Sequence, residues 1–253
     1  MTARKFADDP GRGGTYRLGR MTRILMIVTA ADVLTLADGS THATGFWAEE
    51  LVVAHRALSA AGHEVVLATP GGRRAPVDPG SLDAAVVGDE SKVEEFARYL
   101  RTIEAQLERP ADLAALDAAA FDAVVLPGGH GPMADLAGDP VVGAALVAAD
   151  DAGRVVAPFC HGPAALLSAT RPDGTFAFAG RRLTVFTNEE ETTGGLGAGT
   201  PWFVADALTE RGAVVESAAP WSSHVVVDGN LVSGQNPQSS DEVATAVLRL
   251  LAA

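Results

Sequence analysis

The chain has 253 residues, 47% of them hydrophobic, enough to build one domain with a large core or two small ones. Acidic residues exceed basic ones by 32 to 19, a net charge of −13, which argues against nucleic acid and anionic membrane surfaces as partners. A single cysteine excludes a disulfide framework and a Cys-x-x-Cys zinc site and suits a reducing, cytoplasmic compartment; no apolar run approaches the roughly 18 residues of a membrane span.

The first twenty residues, MTARKFADDPGRGGTYRLGR, hold five Arg or Lys, two Asp and no apolar central segment. Such a stretch cannot bury enough surface to offset its ordering entropy and has no secretory character. Residues 1–20 therefore read as a disordered leader upstream of a start at Met21, and 21–253 as one domain.

From Thr22 the chain alternates. RILMIVTAA is a short β-branched strand, and TGFWAEELVVAHRALSAAGH has helical spacing ending at Gly62. EVVLATP is a second buried strand. In SKVEEFARYLRTIEAQLE, the residues Val93, Phe96, Leu100, Ile103 and Leu107 form one helical stripe, and the long stretch from Gly71 to Ala120 predicts an added helical layer beside the site. FDAVVLPGGHG is a strand broken at Pro-Gly-Gly, PVVGAALVAADDAG a helix, RVVAPF a strand and GPAALLSA a helix. After them come RRLTVFT, a helix from about Trp202 to Arg211, AVVES, a hairpin in HVVVDGNLVSG and a closing helix SDEVATAVLRLLAA. Uniformly apolar strands alternating with helices predict a mostly parallel sheet covered on both faces, an α/β sandwich that binds ligands beyond the carboxyl ends of its strands.

Cys160 falls where a strand ends and a helix is expected to begin, the position of a nucleophile elbow, although Pro158 stands where glycine is usual. A helix N-terminus there would favour thiolate. His161 is the adjacent base. Gly128 and Gly129 end the neighbouring strand and offer backbone N–H groups of the kind an oxyanion hole needs. On the first helix, Trp47, Leu51, Ala54 and Leu58 form the buried stripe; Glu50 borders it while Glu49 projects the opposite way, toward water. A carboxyl held in an apolar site tends to stay protonated. The six histidines, His42, His55, His63, His130, His161 and His224, show no metal-binding spacing, so no metal centre is expected and most read as surface or turn residues.

Five segments in order, TGFWAEEL, VVLPGGHGPMADL, FCHGPAAL, LTVFTNEEE and VSGQNPQSS, resemble the ThiJ/PfpI superfamily, and most closely its glyoxalase III and heat-shock chaperone branch. The resemblance spans Thr44 to Ser240. It implies a flavodoxin-like fold similar to that of class I glutamine amidotransferases. It also implies Cys160 as nucleophile, His161 as its base, Glu50 as the acid, and Glu191 orienting the histidine, with Glu189 and Glu190 as neighbouring candidates. Gly129 and the His161 amide match the family's oxyanion donors, and His130 and Trp47 would line the pocket. The chain departs from the family at Ala43, Ala54 and Pro158, and its Gly-rich TTGGLGAGTPW suggests a distinct pocket mouth.

The implied activity is cofactor-independent conversion of α-oxoaldehydes such as methylglyoxal to 2-hydroxy acids, without glutathione or metal, by a homodimer. A second reading keeps the cysteine for hydrolysis or hydration of an amide, isonitrile or natural-product carbonyl. A third is a holding chaperone or redox sensor, which would need an exposed apolar patch.

Overall fold

The computed structural model describes residues 22–253; the expected leader and the start at Met21 lie outside the described residues. In chain order the strands are β1 (Arg23–Ile27), β2 (Val33–Thr35), β3 (Thr41–Ala43), β4 (Glu64–Thr69), β5 (Ala111–Asp112), β6 (Ala123–Leu126), β7 (Val155–Pro158), β8 (Arg182–Leu183), β9 (Val214–Val215), β10 (Val225–Asp228) and β11 (Leu231–Gly234). The helices are α1 (Ala48–Ala60), α2 (Ala84–Val87), α3 (Glu90–Thr102), α4 (Glu104–Glu108), α5 (Gly131–Asp135), α6 (Pro140–Asp151), α7 (Asn188–Gly194), α8 (Val204–Glu210) and α9 (Ser240–Leu251).

Seven strands form the central sheet in the order β10-β11-β7-β6-β1-β4-β5. Every pairing is parallel except the β10–β11 hairpin, which turns through Gly229 at φ 59°. The sequence accounts for this placement. β1 is apolar and completely buried from Ile24 to Ile27, as required of a strand covered on both faces. Its side chains alternate: Leu25 and Ile27 join a core with α6, whereas Ile24 and Met26 join a core with α1 and α9. The fold is thus the predicted α/β sandwich.

The segment between β4 and β6 does supply a helical layer. α3 packs outside α1, where Tyr99 Oη lies 2.8 Å from His55 Nδ1 and Arg56 pairs with Glu95. The amphipathic run breaks at Ile103, giving α3 and α4 rather than one helix.

Two expectations change, and one element is unforeseen. GPAALLSA forms a 3-10 helix, Gly162–Ser168, instead of an α-helix. RRLTVFT contributes only β8, which pairs with β9 from AVVES in a separate two-stranded sheet. The β2–β3 hairpin has no counterpart in the periodic signals, being two runs of only three residues.

Candidate active site

The site lies at the carboxyl ends of β6 and β7. At the end of β7 the chain turns sharply, and Cys160 takes a left-handed φ of 56°. A non-glycine residue held there costs on the order of 1–3 kcal/mol and persists only when its surroundings over-determine it. Here they do: Cys160 donates its N–H to the Gly234 carbonyl at 2.9 Å, and its carbonyl accepts from the Phe186 N–H at 3.0 Å. The neighbouring turn fits only because it lacks side chains. A Cβ on Gly128 would fall 2.6 Å from the His161 nitrogen and 3.0 Å from Cys160 Cβ. Gly129 has a φ of 86°, and a Cβ there would run into the Gly45 carbonyl.

Cys160 is 3% exposed, and its Sγ lies 3.3 Å from His161 Nδ1. His161 Nε2 lies 2.6 Å from Glu191 Oε2. His130 Nε2 shares the same carboxylate, at 3.1 and 3.2 Å from its two oxygens. A carboxylate only accepts, so both imidazoles donate through Nε2, and the His161 Nδ1 lone pair is left facing the thiol. Burial, and then the neighbouring His130, lower the His161 pKa against the pull of Glu191, which keeps this base neutral. Burial works against the Glu191 charge, but the hydrogen bonds from His130 and His161 prevail and hold its carboxyl far below the usual range. The Leu196 N–H at 2.6 Å and the Thr200 hydroxyl at 2.9 Å complete its partners.

Three adjacent glutamates thus take three different roles. Glu189 is exposed and Glu191 holds the two histidines. Glu190 turns inward, caps α7 through Thr187, and accepts from the Trp221 N–H and the Asn236 side chain.

Glu50, in the first turn of α1, is completely buried. Its Oε2 accepts the Gly128 N–H at 2.6 Å, while Oε1 has no well-formed hydrogen bond. Burial pushes the carboxyl up to about 8, moderated by the nearby Cys160 thiol and the Gly128 amide. At neutral pH its proton therefore resides on Oε1, the oxygen without another partner. Glu49 does not face water as the helical phase predicts: α3 covers it, leaving its side chain 18% exposed and 3.5 Å from Lys92 Nζ.

Burial opposes the thiolate that the strand-end position alone suggests. Burial raises the Cys160 pKa well above its ordinary value, and the Glu50 carboxyl adds to this only where it is ionised. The Gly129 and His161 backbone amides, hydrogen-bonded toward the sulfur, lower it only in part. The short 3-10 helix that follows supplies little dipole, and His161 supplies no imidazolium. Burial thus favours the thiol over the thiolate and the neutral over the charged imidazole.

A cleft of about 60 Å³ opens onto the sulfur, enough for a few water-sized groups. Trp47, Gly129, His130 and His161 line it as expected, and Phe186, Gly194, Gly195, Trp221 and Pro237 join them. The Gly-rich stretch after the acidic cluster does reach this mouth. Phe186 stacks on His161 with ring centroids 4.6 Å apart. Trp221 could not be placed from sequence, because side-chain bonds between distant segments fix its loop. Larger open grooves exist, such as one of about 250 Å³ between Phe46 and Glu108, but that one includes none of these side chains.

His130, His161 and Glu191 also offer three ligand atoms within 4.8 Å of one another, a set that could hold a metal ion. This convergence corrects the reading of the histidines as scattered, since His130 and His161 are both buried in one cluster. Each Nε2 already bonds the carboxylate, so a metal would have to displace those protons. Among the described residues, no helix is long and apolar enough to cross a membrane.

Known proteins resemble this chain in sequence and in fold. The protein/nucleic acid deglycase HchA of Pseudomonas aeruginosa strain UCBPP-PA14 is 28% identical over 242 residues, covering 90% of this chain and 80% of the relative. Its namesake in Staphylococcus aureus strain MSSA476 is 27% identical over 248 residues, covering 93% and 82%. The 24 kDa Rapid Encystment Protein of Francisella tularensis superposes with a TM-score of 0.82 at 27% identity, covering 91% of this chain and 99% of that one. Glyoxalase III of Candida albicans shares the fold with a TM-score of 0.73 at 24% identity, over 90% and 97% of the two chains. The model of the DJ-1/PfpI family matches residues 41–250, so the chain belongs to the DJ-1/PfpI family.

Proposed function

We propose that this protein is a cysteine-dependent enzyme that converts small α-oxoaldehydes to 2-hydroxy acids without glutathione, metal or organic cofactor. One observation carries the reading: a backbone-strained, buried Cys160 in line with a neutral His161 and an ionised Glu191, beneath two backbone amides. The relationship to proteins named deglycases supports it.

As the sulfur attacks the aldehyde carbon, the thiol proton passes to His161 Nδ1, and the C–S bond forms as the carbonyl π bond breaks. The Gly129 and His161 amides receive the developing oxyanion, which closes to a hemithioacetal on taking up a proton. His161, neutral again, removes the hydrogen from that carbon. The resulting enediol is reprotonated at the adjacent carbon, giving a 2-hydroxyacyl thioester. The two carbons exchange oxidation state, so no external oxidant or reductant is consumed. Water cleaves the thioester, releasing the hydroxy acid and the thiol. Glu191 keeps the His161 lone pair on the sulfur side throughout. Glu50 hydrogen-bonds the sulfur through its retained proton when the sulfur carries charge.

The test is methylglyoxal turnover followed by proton NMR in chelator-treated, thiol-free buffer. Lactate formation is expected. No lactate, or lactate only with glutathione or added metal, refutes the proposal. A second reading, action on aldehyde adducts of protein or nucleic acid, draws on the names of the relatives; adduct removal without turnover of free methylglyoxal would favour it.

A further inference from the structure

The mouth of the cleft carries an inference about substrate size that rests on the reading above. Among the described residues, Trp221 is the second non-glycine residue with a left-handed backbone, at φ 63°. It is 42% exposed yet lines the cleft onto Cys160. A large apolar side chain that is both strained and exposed needs a reason. Its surroundings show that it is held there. Glu190, completely buried, accepts the Trp221 N–H at 2.7 Å and the Asn236 amide at 2.8 Å through the same oxygen, Oε1. Asn236 in turn donates to the Ser222 carbonyl at 2.8 Å, and Gln235 accepts the Ala218 N–H at 2.8 Å. The loop 218–222 is therefore pinned on both sides of Trp221 by buried side chains from α7 and from the segment after β11.

The indole is fitted as well as tethered. Its ring meets Phe186 edge-on, with centroids 5.6 Å apart. It lies against Gly194 so closely that a Cβ there would fall 2.5 Å from Trp221 Cζ2. Phe186 continues the wall down to His161.

We infer that Trp221, clamped by Glu190, is the size filter of the Cys160 cleft, admitting small free oxoaldehydes and excluding carbonyls carried on bulky groups. Trp221 is a specificity-determining residue. It excludes by steric obstruction and takes no part in moving protons or charge.

Because the chain holds one cysteine, alkylation reads this cleft alone. Wild type and Trp221→Gly would be labelled at fixed pH with iodoacetamide and with a fluorescein-bearing iodoacetamide, each followed by intact-protein mass spectrometry. Glycine adopts φ 63° without strain and keeps the backbone bond to Glu190, so folding should survive; Trp221→Asn, also tolerant of that region, serves as the second variant. The ratio of bulky to small reagent rate constants cancels the ionisation of the thiol. It should rise by about tenfold or more in both variants, with the iodoacetamide rate changing much less. In parallel, kcat/KM for phenylglyoxal relative to methylglyoxal should rise. An unchanged labelling ratio in variants with normal melting curves overturns the size filter, whatever the turnover shows. A raised ratio without turnover of either aldehyde leaves the filter standing and sinks the proposed activity instead.

Discussion

Replacing Glu50 with glutamine should make the protein more stable at alkaline pH, because the wild-type carboxyl is buried with its proton. In the unfolded chain Glu50 ionises at the ordinary carboxyl value of 4.5; in the folded protein it holds its proton up to about 8. A raised folded-state pKa contributes stability that is full below the unfolded value and is lost as pH rises through the folded one. At about 1.4 kcal/mol per pH unit, the loss between those limits approaches about 5 kcal/mol for a fully buried group. The glutamine side chain of Glu50→Gln would keep the shape and accept the Gly128 N–H, and it has nothing to ionise. The variant should therefore match or fall slightly below wild type near pH 5. By pH 8 it should gain about 3 kcal/mol relative to wild type, or roughly 6–12 °C in Tm for a chain of this size. Melting curves of both proteins from pH 5 to 9 measure this directly, and the titrations they share largely cancel in the difference. Parallel pH profiles would show that Glu50 is ionised in the folded state, and would remove the protonated acid from the site.

The same carboxyl sets a limit on activity: kcat/KM should fall as pH rises through about 8, as Glu50 loses its proton, and that limb should be absent in whatever activity Glu50→Gln retains. Glu191→Gln should lower kcat by about 10²–10⁴, since an amide in place of the carboxylate frees His161 to turn its protonated nitrogen toward the sulfur; melting curves control for folding, and near-normal kcat would refute the assignment. Glu49→Gln should cost no more than about 1 kcal/mol, the value of a partly exposed ion pair with Lys92, with turnover nearly intact; a loss of activity as large as that of Glu50→Gln would mean the acid was misassigned.

Much of this site is legible in the sequence because two simple periodicities place it. Strand-end position finds Cys160 and the Gly128–Gly129 turn, and helical phase selects Glu50 over Glu49 as the carboxyl nearer the interior. Phase alone fails for Glu49, because it describes one helix against one core. α1 is buried on two sides, and α3 covers the face expected to meet water. Local pattern alone does not resolve the acidic triplet, in which only the family resemblance points to Glu191. Successive residues on α7 point about 100° apart, and only the positions of His161 and Trp221 decide which carboxylate serves the base and which the loop. The Trp221 loop stays hidden for the same reason: Glu190 and Asn236 hold it through bonds spanning 31 and 14 residues, and no local pattern encodes them. The raised thiol pKa is equally illegible, because strand-to-helix position suggests a dipole, while complete burial beside Glu50 dominates.

The proposed chemistry depends on the Cys160 sulfur. The most direct measurement is the initial rate of lactate formation from methylglyoxal by wild type and Cys160→Ala at equal concentration, in thiol-free buffer, with matched melting curves. Wild type should turn over steadily, and the variant should give only the uncatalysed background. A folded Cys160→Ala variant that retains the wild-type rate would contradict it.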